Sequence, residues 1–166
     1  RRYLDRSPWH TVRTDRVQLP TGVVVPDWYV FEFLDWVEIL AITKEGKFVI
    51  ISQYRHGLGE TRYELPAGSC DEGETPLESA KRELFEETGY GGGHWQLWMT
   101  ISANPGTITN LTHCFLADIH WLFFQHGSCD ILRICHGAKK HHSFIFLILV
   151  RQQITDFCGF TKTHRQ

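Results

Sequence analysis

Apolar and β-branched residues dominate the early part of this chain in short runs bounded by turn residues, the spacing of strands. Residues 11–19 and 22–33 read as two strands joined by a turn at Pro20-Thr21-Gly22, and 36–43 and 47–54 as a hairpin around Lys44-Glu45-Gly46. Further strands are predicted at 94–102 and 111–119. Between them one stretch carries the helical period: Leu77, Ala80 and Leu84 recur at i, i+3 and i+7 and predict a buried stripe on a helix over 76–88. Its ends are marked by Thr75 as N-cap, Pro76 at the first helical position, Glu78 closing a capping box, and Gly89 as a left-handed stop. Strands flanking an internal helix predict an α/β or α+β fold.

The remaining faces of that helix are crowded with charge. Glu83 and Glu87 lie one turn apart, as do Arg82 and Glu86. Like charges at this spacing repel, so three carboxylates within five residues need compensation. Pairing of Arg82 with Glu86 would neutralise and orient one of them, leaving Glu83 and Glu87 pointing together with Glu86 beside them. A divalent cation is the simplest further compensation, and oxygen donors suit Mg²⁺ or Mn²⁺. Such an ion neutralises a pyrophosphate and acidifies a water that attacks phosphorus. A solvated acidic face is the plainer reading of a charge run; the surrounding pattern outweighs it.

That pattern resembles the Nudix box, G-x5-E-x7-R-E-U-x-E-E-x-G-U with U a bulky apolar residue. Gly68, Glu74, Arg82, Glu83, Leu84, Glu86, Glu87 and Gly89 meet its fixed positions, and Tyr90 is a looser fit to the last. The resemblance implies a Nudix-type α/β/α sandwich with a mixed β-sheet and a Mg²⁺-dependent hydrolase. It implies Glu83 and Glu87 as metal ligands, Glu86 as ligand or base, Arg82 as the residue that orients the carboxylates, and the Ala67 carbonyl as a further ligand. The flanks Gln53-Tyr54-Arg55-His56 and Tyr63-Glu64-Leu65-Pro66-Ala67-Gly68, with Pro105 fifteen residues beyond Tyr90, resemble the ADP-ribose pyrophosphatase branch.

For that branch the implied reaction is cleavage of ADP-ribose, or a related nucleoside diphosphate sugar, to AMP and ribose 5-phosphate. The alternatives are another nucleotide substrate, such as a dinucleoside polyphosphate or an oxidised nucleotide, and a nucleotide-binding module with impaired turnover. Arg55 at a strand end suits a forked grip on substrate phosphate. Glu64 is either a fourth carboxylate at the metal centre or half of a structural ion pair. Trp28 and Tyr29 have faces suited to a nucleobase, although packing in a core or interface is the favoured role. The resemblance also implies a homodimer built through the N-terminal strands.

Composition narrows the class further. With 166 residues the chain is expected to form one domain with a real core, and a net charge of −2 gives no electrostatic case for long nucleic acid. There is no run of eighteen apolar residues and no signal-peptide pattern, so no membrane partner is expected. Five cysteines without framework spacing favour a reducing cytoplasm. Cys70 is read as a bystander in the box loop, and Gly91-Gly92-Gly93 as a flexible connector.

Charge changes sign near residue 118. Residues 119–166 carry two acids, Asp130 and Asp156, against six Lys plus Arg, and no Glu follows Glu87. Residues 1–118 are therefore assigned to the Nudix domain and 119–166 to an atypical tail. Three readings of the tail compete: a divergent working segment, a zinc site of His126, Cys129, Cys135 and His136, and a segment out of its native reading frame, which is favoured. The apolar run at 144–150 is too short to span a bilayer and reads as a buried strand or an exposed aggregation hazard. The general base is Glu86 or a tail carboxylate such as Asp130.

Overall fold

A computed structural model of the chain describes residues 1–121 and the backbone of one strand at 144–148. The zinc candidates His126, Cys129, Cys135 and His136, and the tail acids Asp130 and Asp156, lie outside the described residues. Strands β1 (Arg2–Arg6), β2 (His10–Gln18) and β3 (Val24–Glu32) form an antiparallel three-stranded sheet. Then come β4 (Trp36–Thr43), β5 (Phe48–Arg55), β6 (Glu60–Glu64), β7 (Ala67–Ser69), helix α1 (Pro76–Thr88), β8 (Tyr90–Ile101), β9 (Thr112–Trp121) and β10 (Phe144–Ile148). These build a seven-stranded sheet in the order β10-β5-β4-β9-β8, with β6 on β5 and β7 on β4. The pair β4–β9 is parallel and the others antiparallel, so the sheet is mixed, as expected. Among the described residues one helix covers it, and none is long and apolar enough to cross a membrane.

The core follows from strand alternation. Val37, Ile39 and Ala41 on β4 and Phe115, Ala117 and Ile119 on β9 point to one face, where they meet Ala80 and Leu84 of the predicted helical stripe. Leu77, the third member, packs at the margin of this cluster. The helix begins and ends where its caps dictate. Thr75 accepts from the Glu78 amide while Glu78 returns a bond to the Thr75 amide, and Gly89 takes a left-handed φ of 72°.

Strands β4 and β5 leave their turn paired only at Ile42 and Phe48 and then splay. The gap admits β7, which pairs with Trp36, Val37 and Glu38 at the start of β4. Opposite it, β6 pairs with the far half of β5. This split is what carries the box loop into the heart of the sheet.

Gly91, Gly92 and Gly93 are not a connector. They belong to β8, where the pairing with β9 slips between Gly91 and His94. Gly92 and Gly93 have φ of 65° and 70°, and a side-chain carbon on Gly93 would fall 1.6 Å from the Asp118 carbonyl oxygen. The run is a β-bulge that only glycine can make. Strands β1, β6 and β7 also carry no apolar signature in sequence. The apolar run at 144–150 does contain a strand, β10, antiparallel to β5.

Candidate active site

The site is built along β7, where each residue meets one position of α1. The Ala67 N–H donates to Glu87 Oε2 at 3.2 Å. At Gly68 a side-chain carbon would lie 2.1 Å from the Glu83 carboxyl carbon, so glycine is what lets that carboxylate rest on the strand. Arg82 Nη2 donates to the Ser69 carbonyl oxygen at 3.1 Å. Three successive strand residues thus meet three box residues on the helix, and Glu87 feels the charge of Glu83 one turn away.

Arg82 is held differently from the local pairing rule. Its Nε lies 3.1 Å from both oxygens of Glu74, and its Nη1 donates to Glu83 Oε1 at 2.7 Å. Glu86, expected as its main partner, stands at 3.6 Å with its side chain 59% exposed. Glu74 is fixed in turn by the Ser79 hydroxyl at 2.7 Å. Glu74 therefore supplies the main brace for Arg82, across the loop between β7 and α1, and its fixed place in the box was the signal for it. The guanidinium is left with one strong bond to spend on Glu83.

Burial dominates the electrostatics. It pushes Glu83 above the usual carboxylate range, against the opposing pull of Arg82. Glu87 is pushed up to about 7, chiefly by burial and further by Glu83 and Glu64, while the Ala67 amide and Arg55 oppose the shift. Two adjacent, partly buried carboxylates stay raised despite Arg82 and Arg55, a state that a cation would relieve.

Arg55 and Glu64 form a fork on the flank. Arg55 Nε reaches both Glu64 oxygens, at 3.0 and 2.8 Å, and Nη2 adds a third contact. This is the ion-pair role foreseen for Glu64, and it holds Arg55 within electrostatic reach of Glu87. Trp28 presents its indole N–H to the Gly106 carbonyl at 2.8 Å, while the Tyr29 side chain is exposed. Cys70 is partly buried, which raises its thiol pKa and makes it less reactive.

Whether this set suits a divalent cation can be judged from its chemistry. Among the described residues no three His, Cys, Asp or Glu side chains converge as placed into a metal-binding cluster. The donors are nevertheless oxygen only, two of them are carboxylates side by side, and the backbone of Ala67 adjoins Glu87. They fit a hard ion such as Mg²⁺ or Mn²⁺ in kind and in charge.

Gly68→Ala tests the cradle. The new methyl would displace the end of a flexible glutamate, so the melting temperature is expected to move by only a few degrees. Mn²⁺ affinity, read by calorimetric titration, is expected to fall about 10- to 100-fold.

Residues 33–128 match the family described as NUDIX domain. The chain is 40% identical over 82 residues to the ADP-ribose pyrophosphatase of Bacillus subtilis, covering 49% of this chain and 44% of that protein. It is 36% identical over 107 residues to the ADP-ribose pyrophosphatase of Mycobacterium tuberculosis, covering 64% and 51%. A methanol dehydrogenase activator of Bacillus methanolicus is 35% identical over 106 residues, covering 64% and 57%. The chain thus spans about half the length of these curated relatives. The solved structure of an ADP compounds hydrolase superposes with a TM-score of 0.65 at 18% identity, over 98% of this chain and 82% of that one, which shows the fold.

Proposed function

Since the chain belongs to the NUDIX domain family, we propose that it hydrolyses the pyrophosphate of ADP-ribose, or of a related nucleoside diphosphate sugar, to AMP and ribose 5-phosphate. One observation carries the reading: Glu83 and Glu87 lie partly buried side by side against Gly68 and Ala67, with Glu87 pushed up to about 7. The activities for which two relatives are named support ADP-ribose as the substrate.

Glu83, Glu87 and the Ala67 carbonyl are the groups that would hold Mg²⁺ or Mn²⁺, with Glu86 either a further ligand or, off the ion, the base. When bound, the ion supplies charge neutralisation for the diphosphate and acidifies water. The chain's own residues do the rest. Arg82, braced by Glu74, fixes the rotamer of Glu83. Arg55, braced by Glu64, offers a guanidinium edge to the phosphates. Glu86, the exposed member of the trio, is free to take a proton from the attacking water. Water oxygen bonds to one phosphorus as the bridging P–O bond breaks, and the departing phosphate leaves with its sugar.

The decisive experiment incubates the protein with ADP-ribose and Mg²⁺ and follows AMP, beside Glu83→Gln. AMP no greater than in that variant would sink the proposal, and a panel of dinucleoside polyphosphates and oxidised nucleotides tests the other substrates.

The pH dependence has a definite sign. A carboxylate raised to about 7 keeps its proton below that pH and excludes the cation. Mg²⁺ affinity is therefore expected to rise about tenfold per pH unit up to about 7 and to level off above it. A flat calorimetric profile between pH 5.5 and 8 would contradict this.

The same reading assigns a homodimer formed through the N-terminal strands. Exposed Tyr3, Trp9 and Tyr29 on and beside this sheet support it. Sedimentation equilibrium is expected to give twice the chain mass of 19.3 kDa.

A further inference from the structure

Among the described residues, the three-stranded N-terminal sheet is bonded to the stretch between β8 and β9. Phe31 donates its amide to the Thr107 carbonyl at 2.8 Å and accepts from the Thr109 amide at 3.1 Å. Trp28 adds its indole N–H to the Gly106 carbonyl at 2.8 Å. At the other end of this segment Leu111 is held twice. Its amide donates to Asp35 Oδ1 at 2.8 Å, and its carbonyl accepts from the Trp36 amide at 2.8 Å.

Asp35 joins this segment to the box loop. Its own carbonyl accepts from the Cys70 amide at 2.8 Å, and Cys70 is two residues from Gly68, which cradles Glu83. Two residues of extended chain span roughly 7 Å. The clamped segment is therefore tied through the single residue Asp35 to the loop that begins at the glycine cradling Glu83. It also contains Asn110, whose amide oxygen is buried without a donor, so its internal bonding is incomplete.

We propose that Trp28 and Asp35 are positioning residues that hold the 102–111 segment as one rim of the substrate site. The N-terminal sheet then sets how tightly substrate is gripped without entering the chemistry. This rests on the function proposed above. Holding a rim acts on binding, because the chemistry proposed above falls to Arg55, Glu83, Glu86, Glu87 and the Ala67 carbonyl, none of which Trp28 or Asp35 contacts.

Trp28→Phe keeps an aromatic ring of similar shape and removes only the N–H. Losing one hydrogen bond of ordinary net worth is expected to raise KM for ADP-ribose about 2- to 10-fold with kcat within twofold of the parent. Hydrogen exchange of amides 104–109 is expected to accelerate at the same time. Asp35→Ala, which frees the other end, is expected to show the same two signatures and decides the matter should Trp28→Phe fold poorly.

A rise in exchange with KM unchanged would overturn the proposal, since the segment would then be no rim of the site. Unchanged exchange would overturn it as well, because the bond would not be holding the segment. A fall in kcat at constant KM would place these residues in the chemistry instead. If the parent protein turns over no ADP-ribose, the function has failed rather than the clamp. Exchange at 104–109, with and without ADP-ribose and Mg²⁺, then reads the clamp directly, and protection absent from the parent on adding ligand overturns its link to a site.

Discussion

Replacing Glu87 with glutamine is expected to lower ADP-ribose turnover about 10²- to 10³-fold, since a cation ligand contributes several kcal/mol to the barrier and each factor of ten is worth about 1.4. The same change is expected to stabilise the metal-free protein at pH 8. Burial pushes the Glu87 carboxyl up to about 7 from an ordinary value of 4.5. A carboxyl raised on folding binds more protons in the folded state, so stability falls as pH rises from about 4.5 to about 7 and stays low above it. The full shift corresponds to about 3 kcal/mol at most. Glutamine never ionises and escapes this cost. Melting curves without metal should show the variant above the parent at pH 8 and near it at pH 5. Excess Mg²⁺ should narrow the gap by stabilising only the parent. A variant less stable than the parent at pH 8 would mean that Glu87 holds the fold through its bond to Ala67 rather than straining it.

Gly93→Ala is expected to be the most damaging single methyl on the sheet. Its φ of 70° is costly for any other residue, and the new carbon would fall 1.6 Å from the Asp118 carbonyl oxygen. Backbone cannot swing aside as a side chain can, so β8 must separate from β9 locally or the bulge must rebuild. About 3 kcal/mol or more of stability is expected to be lost, lowering the melting temperature by roughly 10 °C. Gly57→Ala is the control: nothing lies within 4 Å of its would-be side chain and its φ is not positive. It should melt within a degree or two of the parent. Equal melting of the two variants would show that the bulge is not fixed by its glycines.

Sequence revealed what is local and hid what is long-range. The ends of α1 were legible because Thr75, Pro76, Glu78 and Gly89 act within one turn of the helix. Strands β4 and β9 were legible because their buried residues alternate cleanly. The partner of Arg82 was misjudged for the complementary reason. Spacing along a helix points to Glu86, whereas the loop folds Glu74 back across eight positions to win the guanidinium. Strand β6, Glu-Thr-Arg-Tyr-Glu, is exposed along almost its whole length and shows no buried face to read. Strand β7 is three residues long, yet it orders the whole site. The glycine bulge in β8 was misread because it has no side chains with which to declare a strand.

The parallel pairing of β4 with β9 also sets the order in which this site is assembled. Trp36 must find Thr112, so the contact closes a very long loop, whereas α1 carries its caps and stripe within thirteen residues. The helix can form early, but it packs on β4, β8 and β9 together. High contact order makes that closure the slow event. Glu83 and Glu87 can thus stand hydrated on a formed helix, and become a partly buried pair when β7 comes to lie against α1. The protein completes its charge-crowded centre as a late act of folding.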